Sequence, residues 1–260
     1  MAYKSDEITT VPHIVTVARG PARERILSLE EAAALFDAID QDHMFTFNIL
    51  MFNTVSRPEA ILELTRFQID LDNRLIKLNP EGRRQTKKIR PTVPITDTLL
   101  PYLAAGRMAT SHLVTWHDKP IKRLSGSWRK LRARAGLSED VIPYTIRHTM
   151  ATEMRKRGVP AWDVAGFLGR KLGGYDSTEI YAKYAPDYLS QAAAAIDDYF
   201  VELQAITKRQ LIIPQPAVRA SCVSNGTSGD IAGMAQIVDF PIESMVGERG
   251  FEPPTPTSRT

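Results

Sequence analysis

The most informative stretch of the chain is Pro143-Tyr144-Thr145-Ile146-Arg147-His148-Thr149. A proline that can open a helix is followed by a tyrosine, an arginine and a histidine on the first turns of a helix expected over 144–157. Downstream, a helix expected over 161–168 runs into Phe167-Leu168-Gly169-Arg170. A glycine-rich loop then leads to Ser177-Thr178-Glu179-Ile180-Tyr181-Ala182-Lys183-Tyr184, read as a helix over 177–184 with a further helix over 187–207. Upstream, Asn53-Thr54-Val55-Ser56-Arg57-Pro58-Glu59-Ala60-Ile61-Leu62-Glu63-Leu64 closes a helix over 42–54 and opens another at Pro58. Arg57 thus stands at the start of an apolar helix, with Glu59 and Glu63 available as ion-pair partners.

The remaining pattern fills in a mainly α fold with a small antiparallel β-sheet. Ser28-Leu29-Glu30-Glu31 reads as a capping box, and Ala32, Leu35, Phe36 and Ile39 follow at helical spacing. Phe67–Asp70, Arg74–Leu78 and Thr92–Ile95 read as three short strands, with a basic turn between the last two. Further helices are expected at 97–105 and 126–135, and a short strand at His112–Trp116. The chain divides into an extended N-terminal segment (1–26), one folded domain (27–207) and a flexible or disordered tail (208–260) rich in Pro, Ser, Gly and Thr.

Composition narrows the function. Apolar residues make up 43% and charged residues 24%, ordinary globular usage. A single cysteine, Cys222, allows no internal disulfide and suits a reducing compartment. No apolar run is long enough for a membrane span, and the N-terminal residues lack the apolar core of a secretory signal. His13, His43, His112, His117 and His148 are scattered, so no metal-ligand spacing arises, and neither a P-loop nor a dinucleotide fingerprint occurs. No cofactor is therefore expected. The net charge is only +3, so its distribution matters more than its sum. Lys208, Arg209, Arg219, Arg249 and Arg259 balance Asp230, Asp239, Glu243, Glu248 and Glu252 in the tail, which leaves the surplus in residues 1–207. There it gathers as Arg83, Arg84, Lys87, Lys88 and Arg90 on the turn, as Lys122, Arg123, Arg129, Lys130, Arg132 and Arg134 around Trp128, and as Arg155, Lys156 and Arg157. Three such clusters suit a nucleic-acid phosphate backbone, though each alone could be a solvated helix face.

Taken together, the segments resemble the tyrosine recombinases of the phage-integrase family. Asn53–Leu64 is similar to that family's T-G-L-R-x-x-E-L box, Pro143–Thr149 to its H-x-L-R-H-T box, and Phe167–Tyr184 to its L-G-H…T-x-x-Y box. Gln85-Thr86-Lys87-Lys88-Ile89-Arg90-Pro91-Thr92-Val93-Pro94-Ile95 resembles its lysine-bearing turn ending in T-V-P-[LI]. The resemblance covers about residues 25–200 and implies the catalytic-domain fold of that family. The family carries a helical DNA-clamping domain ahead of this one, and residues 1–26 are not expected to form it.

The resemblance implies site-specific cleavage and rejoining of double-stranded DNA through a 3′-phosphotyrosyl intermediate, in integration or excision of a mobile element. It assigns Arg57 and Arg147 to the phosphate oxygens, Lys87 or alternatively Lys88 to protonation of the leaving 5′ oxygen, and Tyr181 to nucleophilic attack. Arg83, Arg84, Lys88, Arg90, Lys122, Arg123, Arg129 and Lys130 are the expected DNA-backbone contacts. The implied partners are DNA and further copies of the chain on it, with no membrane and no nucleotide cofactor, in the bacterial cytoplasm at the nucleoid. Two positions depart from the pattern: Tyr144 replaces the first histidine, and Arg170 stands where the family has His or Trp. They keep open a truncated, catalytically impaired integrase that only binds DNA; a type IB topoisomerase-like enzyme is the other alternative. Lastly, Gly250-Phe251-Glu252-Pro253 can be encoded by GGA-TTT-GAA-CC(N), the reverse complement of the transfer-RNA T-arm sequence GGTTCAAATCC. This suggests a tail translated from an attachment site inside a transfer-RNA gene.

Overall fold

The structure is a computed structural model that describes residues 24–86, 88–105, 111–170 and 189–214. Eight α-helices are described. Helix α1 (Leu29–Asp37) starts at the expected capping box: Ser28 Oγ accepts from the Glu31 amide while the Glu31 carboxylate accepts from the Ser28 amide. Its apolar face, Ala32, Ala33, Leu35 and Phe36, is buried. Helix α2 (Asp42–Thr54) is buried almost all round, as a helix apolar on every side must be. Asn48, Asn53 and Thr54 return their side-chain donors to carbonyls four residues back, at 2.7–2.8 Å, so their burial leaves no donor stranded.

Helix α3 (Pro58–Leu62) follows after a sharp turn, with Pro58 in its first position. The sheet is β1 (Ile69–Asp70), β2 (Leu75–Lys77) and β3 (Thr92–Pro94), antiparallel in that order, with Ile76 paired to Ile69 on one side and Val93 on the other. Helix α4 (Leu100–Ala104) and a hairpin of β4 (Thr115–Trp116) with β5 (Lys119–Pro120) precede α5 (Ser125–Arg134), α6 (Pro143–Lys156) and α7 (Ala161–Phe167). Helix α8 (Ser190–Ile206) packs across α1, α6, α7 and α2. Phe36, Phe52, Tyr199 and Phe200 pack with ring centroids 5.1–6.3 Å apart at that crossing, the aromatic heart of the core.

Three local expectations change. Phe67 and Gln68 belong to a one-turn 3₁₀ helix rather than a strand, because the Gln68 side chain caps the Thr65 amide at 3.0 Å and holds the chain in a turn; Phe67 is left 76% exposed. His112 makes a single bridge to Thr65, and the strand forms only at Thr115–Trp116, against the unforeseen β5. Residues 208–214 continue the folded unit past 207. Leu211 is fully buried, its carbonyl accepts from the Tyr102 hydroxyl at 2.7 Å, and Arg209 donates to the carbonyls that end α1. The helix expected over 177–184 lies outside the described residues.

Candidate active site

The site forms where α2 ends, α3 and α6 begin and α7 terminates. Arg147 sits on the second turn of α6 and is only 3% exposed. A guanidinium there has to spend donors on carbonyls. Nη1 donates to Val55 O at 2.8 Å and Nη2 to Leu168 O at 2.6 Å, which ties the end of α2 to the end of α7. Val55 is able to offer its carbonyl because it closes α2 in the left-handed region, at φ +49°. A β-branched residue reaches that conformation only at a steric cost. The T-G-L-R pattern has glycine at this position, where the turn is free of that cost.

Arg57, half-buried just before α3, donates from Nη1 to Ile89 O at 2.7 Å. It pairs with neither Glu59 nor Glu63. Glu63 instead binds Arg90 at 2.7 Å, and the pairing holds the Glu63 carboxyl below its ordinary range. The third residue after the arginine, glutamate in the box, is the buried Ala60 here. Burial lowers the pKa of Arg147 to about 10, and the cations Arg57 and Arg170 push the same way while Tyr144 opposes them. None of these dominant neighbours is a carboxylate. Arg147 remains cationic at neutral pH and keeps N–H donors beyond the two already used. An arrangement of this kind is a receptor for a multiply charged oxyanion.

The turn after β2 is fixed at its base. Gln85 Nε2 donates to Arg90 O at 2.8 Å, and Gln85 Oε1 accepts from the Arg90 amide at 3.2 Å. Ile89 and Pro91 then press on Gly169. A Cβ on residue 169 would lie 2.7 Å from Pro91 Cδ and 2.8 Å from Ile89 O, and φ there is +58°. Only glycine satisfies both the dihedral and the approach. Arg170 follows, exposed, its amide bonded to Ala165 O at 2.9 Å. Tyr144 lies on the first turn of α6 with its ring 5.9 Å from the Arg147 guanidinium and 5.1 Å from the His148 ring.

Thus Arg57, Tyr144, Arg147 and Arg170 converge, while Lys87 and Tyr181 lie outside the described residues. The basic clusters separate by pairing. Arg132 and Arg134 are occupied by Glu139 and Asp40, Arg157 by Glu153 and Glu202, and Lys156 by Glu153. Arg90 is buried against Glu63 instead of facing solvent. Arg83 bonds Asn79. Arg84, Lys88, Lys122, Arg123, Arg129 and Lys130 are exposed, and no carboxylate among the described residues forms an ion pair with them. Lys122, Arg123 and Arg129 line a cavity of about 660 Å³ together with Pro58 and Glu59 of α3 and Pro143 of α6, so that basic surface adjoins the guanidinium site. Sequence reasoning missed the Glu63–Arg90 pair, the Val55 conformation and the Gly169 contact. The L-G dipeptide held a signal for the last; the other two depend on contacts between segments far apart in sequence.

The model of the phage integrase family matches residues 25–187, more than half of the chain. The chain belongs to that family. Among curated relatives, it is 26% identical over 172 residues to tyrosine recombinase XerC of Chlamydia muridarum, covering 60% of this chain and 52% of the relative. It is 26% identical over 173 residues to tyrosine recombinase XerD of Halalkalibacterium halodurans, covering 60% of this chain and 56% of that one. The integrase-family chain thus spans little more than half the length of these relatives. A crystal structure of XerA recombinase is similar over 70% of this chain and 66% of that chain, with 20% identity and a TM-score of 0.48. No described helix is long and apolar enough to cross a membrane.

Proposed function

We propose that this integrase-family chain cuts and rejoins DNA strands at a specific site, in the integration or excision of a mobile element. The observation that carries the reading is the convergence of Arg57, Arg147 and Arg170, with no carboxylate among the groups that dominate Arg147. Like charges gathered around a buried guanidinium repel, and a phosphodiester seated among them relieves the repulsion. The bonds of Arg147 to Val55 O and Leu168 O fix the guanidinium before substrate arrives, so little reorganisation is left for the transition state.

In this mechanism Tyr181 attacks phosphorus as its phenolate, the phenol proton having passed to solvent, and forms a phosphotyrosyl ester as the P–O5′ bond breaks. Lys87, or Lys88 beside it, gives a proton to the departing 5′ oxygen. Arg57 and Arg147 share the negative charge that grows on the nonbridging oxygens. A 5′ hydroxyl then reverses the step, and no external energy source is needed because the ester retains the energy of the phosphodiester. The exposed Lys122, Arg123, Arg129 and Lys130 follow the DNA backbone away from this point, and copies of the chain pair on the DNA.

The second reading, a protein that binds DNA without cutting it, is favoured by Tyr144 in place of the family's first histidine and by Arg170 in place of its His or Trp. A nicked suicide duplex separates the two, because the released fragment cannot religate and the covalent adduct accumulates. The proposed enzyme yields a denaturant-resistant protein–DNA adduct. Arg57→Ala and Arg147→Ala each slow its formation by about 10²–10³-fold. DNA binding with no adduct on any candidate site supports the non-cleaving protein, and relaxation of plasmids that lack any such site supports the topoisomerase-like enzyme.

A further inference from the structure

His148 lies next to Arg147 in α6 and one turn beyond Tyr144, whose ring it meets edge to face at 5.1 Å. It is half-buried, and no hydrogen bond to a described residue holds its ring nitrogens. It lines a cavity of about 380 Å³ with Tyr144 and Thr145, so the His148 and Tyr144 side chains border one space. The far wall of that cavity carries Glu24, Arg25, Glu139 and Asp140. Those charges are partly spent on each other, since Arg25 lies 3.5 Å from Asp140 and Asp140 accepts from Ser138. The groups that act on the imidazole from the site side are Arg170 and Arg147.

We propose that His148 is the proton-binding partner of the guanidinium site: an oxyanion seated by Arg57, Arg147 and Arg170 is coupled to proton uptake on His148, with Tyr144 held between them as the element that senses both. The proposal rests on the phosphate-binding reading of that site. Without an anion, burial first, and then the charges of Arg170 and Arg147, hold the His148 pKa below its ordinary value. An anion cancels part of the cationic field, which favours the imidazolium. By linkage, protonating His148 must then tighten anion binding by the same factor, so affinity rises as pH falls through the His148 range. His148 touches no reacting atom in this account and is a positioning residue.

The test is an NMR titration of the His148 ring in the full chain, with and without sulfate, whose charge is constant across this range. The expected result is an upward move of the His148 midpoint by about half a unit at saturating sulfate, equivalent to about threefold in sulfate affinity. Arg170→Ala should raise the midpoint without sulfate. His148→Gln, and His148→Asn should the first fail to fold, should flatten the pH dependence of sulfate affinity. Sulfate that shifts the Arg57 and Arg147 side-chain resonances while the His148 midpoint stays fixed overturns the coupling and leaves the anion site standing. Failure of both sulfate and a short DNA duplex to perturb those arginines overturns the anion-site reading and the coupling with it.

Discussion

At the residue scale, the site depends on carbonyls as much as on charges. Arg147 is held by Val55 and Leu168, Arg57 by Ile89, and Ile89 in turn rests against Gly169. Gly169→Ala therefore has two costs, a left-handed dihedral and a Cβ inside van der Waals distance of the Ile89 carbonyl oxygen and the Pro91 ring. It should lower unfolding free energy by about 1–3 kcal/mol, measured by chemical denaturation. It should also lower affinity for sulfate, because relieving the clash moves the carbonyl that orients Arg57. An unchanged denaturation midpoint would mean that the turn yields freely. The two arginines were legible in the sequence because each sits in a motif at a helix start. Their fixation was not, since Val55, Leu168 and Ile89 contribute main-chain oxygens, which no residue type advertises. Arg90 shows the converse. Its place in a basic run suggested a DNA contact; its side chain is buried and bonds the Glu63 carboxylate, which itself faces solvent.

At the element scale, long periodic helices were easy to read and short extended pieces were not. Helices α2, α5 and α6 fall within about a residue or two of their expected spans, because a long apolar run marks α2, Trp128 and Leu131 mark α5 and a first-turn proline marks α6. The turn at Phe67 went unread because a capping bond from Gln68 overrides the β propensity around it. Helix α5 sets the next expectation. Arg129 and Lys130 are exposed and outside the ion pairs of the described residues, and Arg132 and Arg134 on the same helix bond Glu139 and Asp40. Replacing Arg129 or Lys130 by alanine should therefore reduce the salt dependence of DNA binding by about one counterion each. Replacing Arg134 should leave that slope unchanged while costing about 0–1 kcal/mol of stability. Equal changes in slope for both classes would show that pairing does not select the DNA-facing residues.

At the scale of the whole molecule, the described fold is one helical unit whose core runs from α1 to the buried Leu211. The family membership extends over most of it. The expectation of a transfer-RNA target lies in the coding sequence of the C-terminal residues. Gly250–Pro253 can encode the reverse complement of a T-arm sequence, and on this expectation Gly247-Glu248-Arg249 and Pro254-Thr255-Pro256 reflect transfer-RNA pairing rather than protein packing. The gene's 3′ nucleotide sequence at codons 250–253, with their flanks, should fold on the opposite strand into a T-arm. Codons that break those pairs would contradict this target.

The proposed mechanism has Tyr181 attack a phosphate held by Arg57 and Arg147. Its most direct measurement is peptide mapping of the covalent adduct trapped on a nicked suicide duplex, with Tyr181→Phe alongside. A phosphodiester linkage on Tyr181, absent from the Phe variant although that variant binds the duplex equally well, is the predicted result. An adduct on Tyr184 or another residue, or none at all on duplexes that the protein binds tightly, would contradict it.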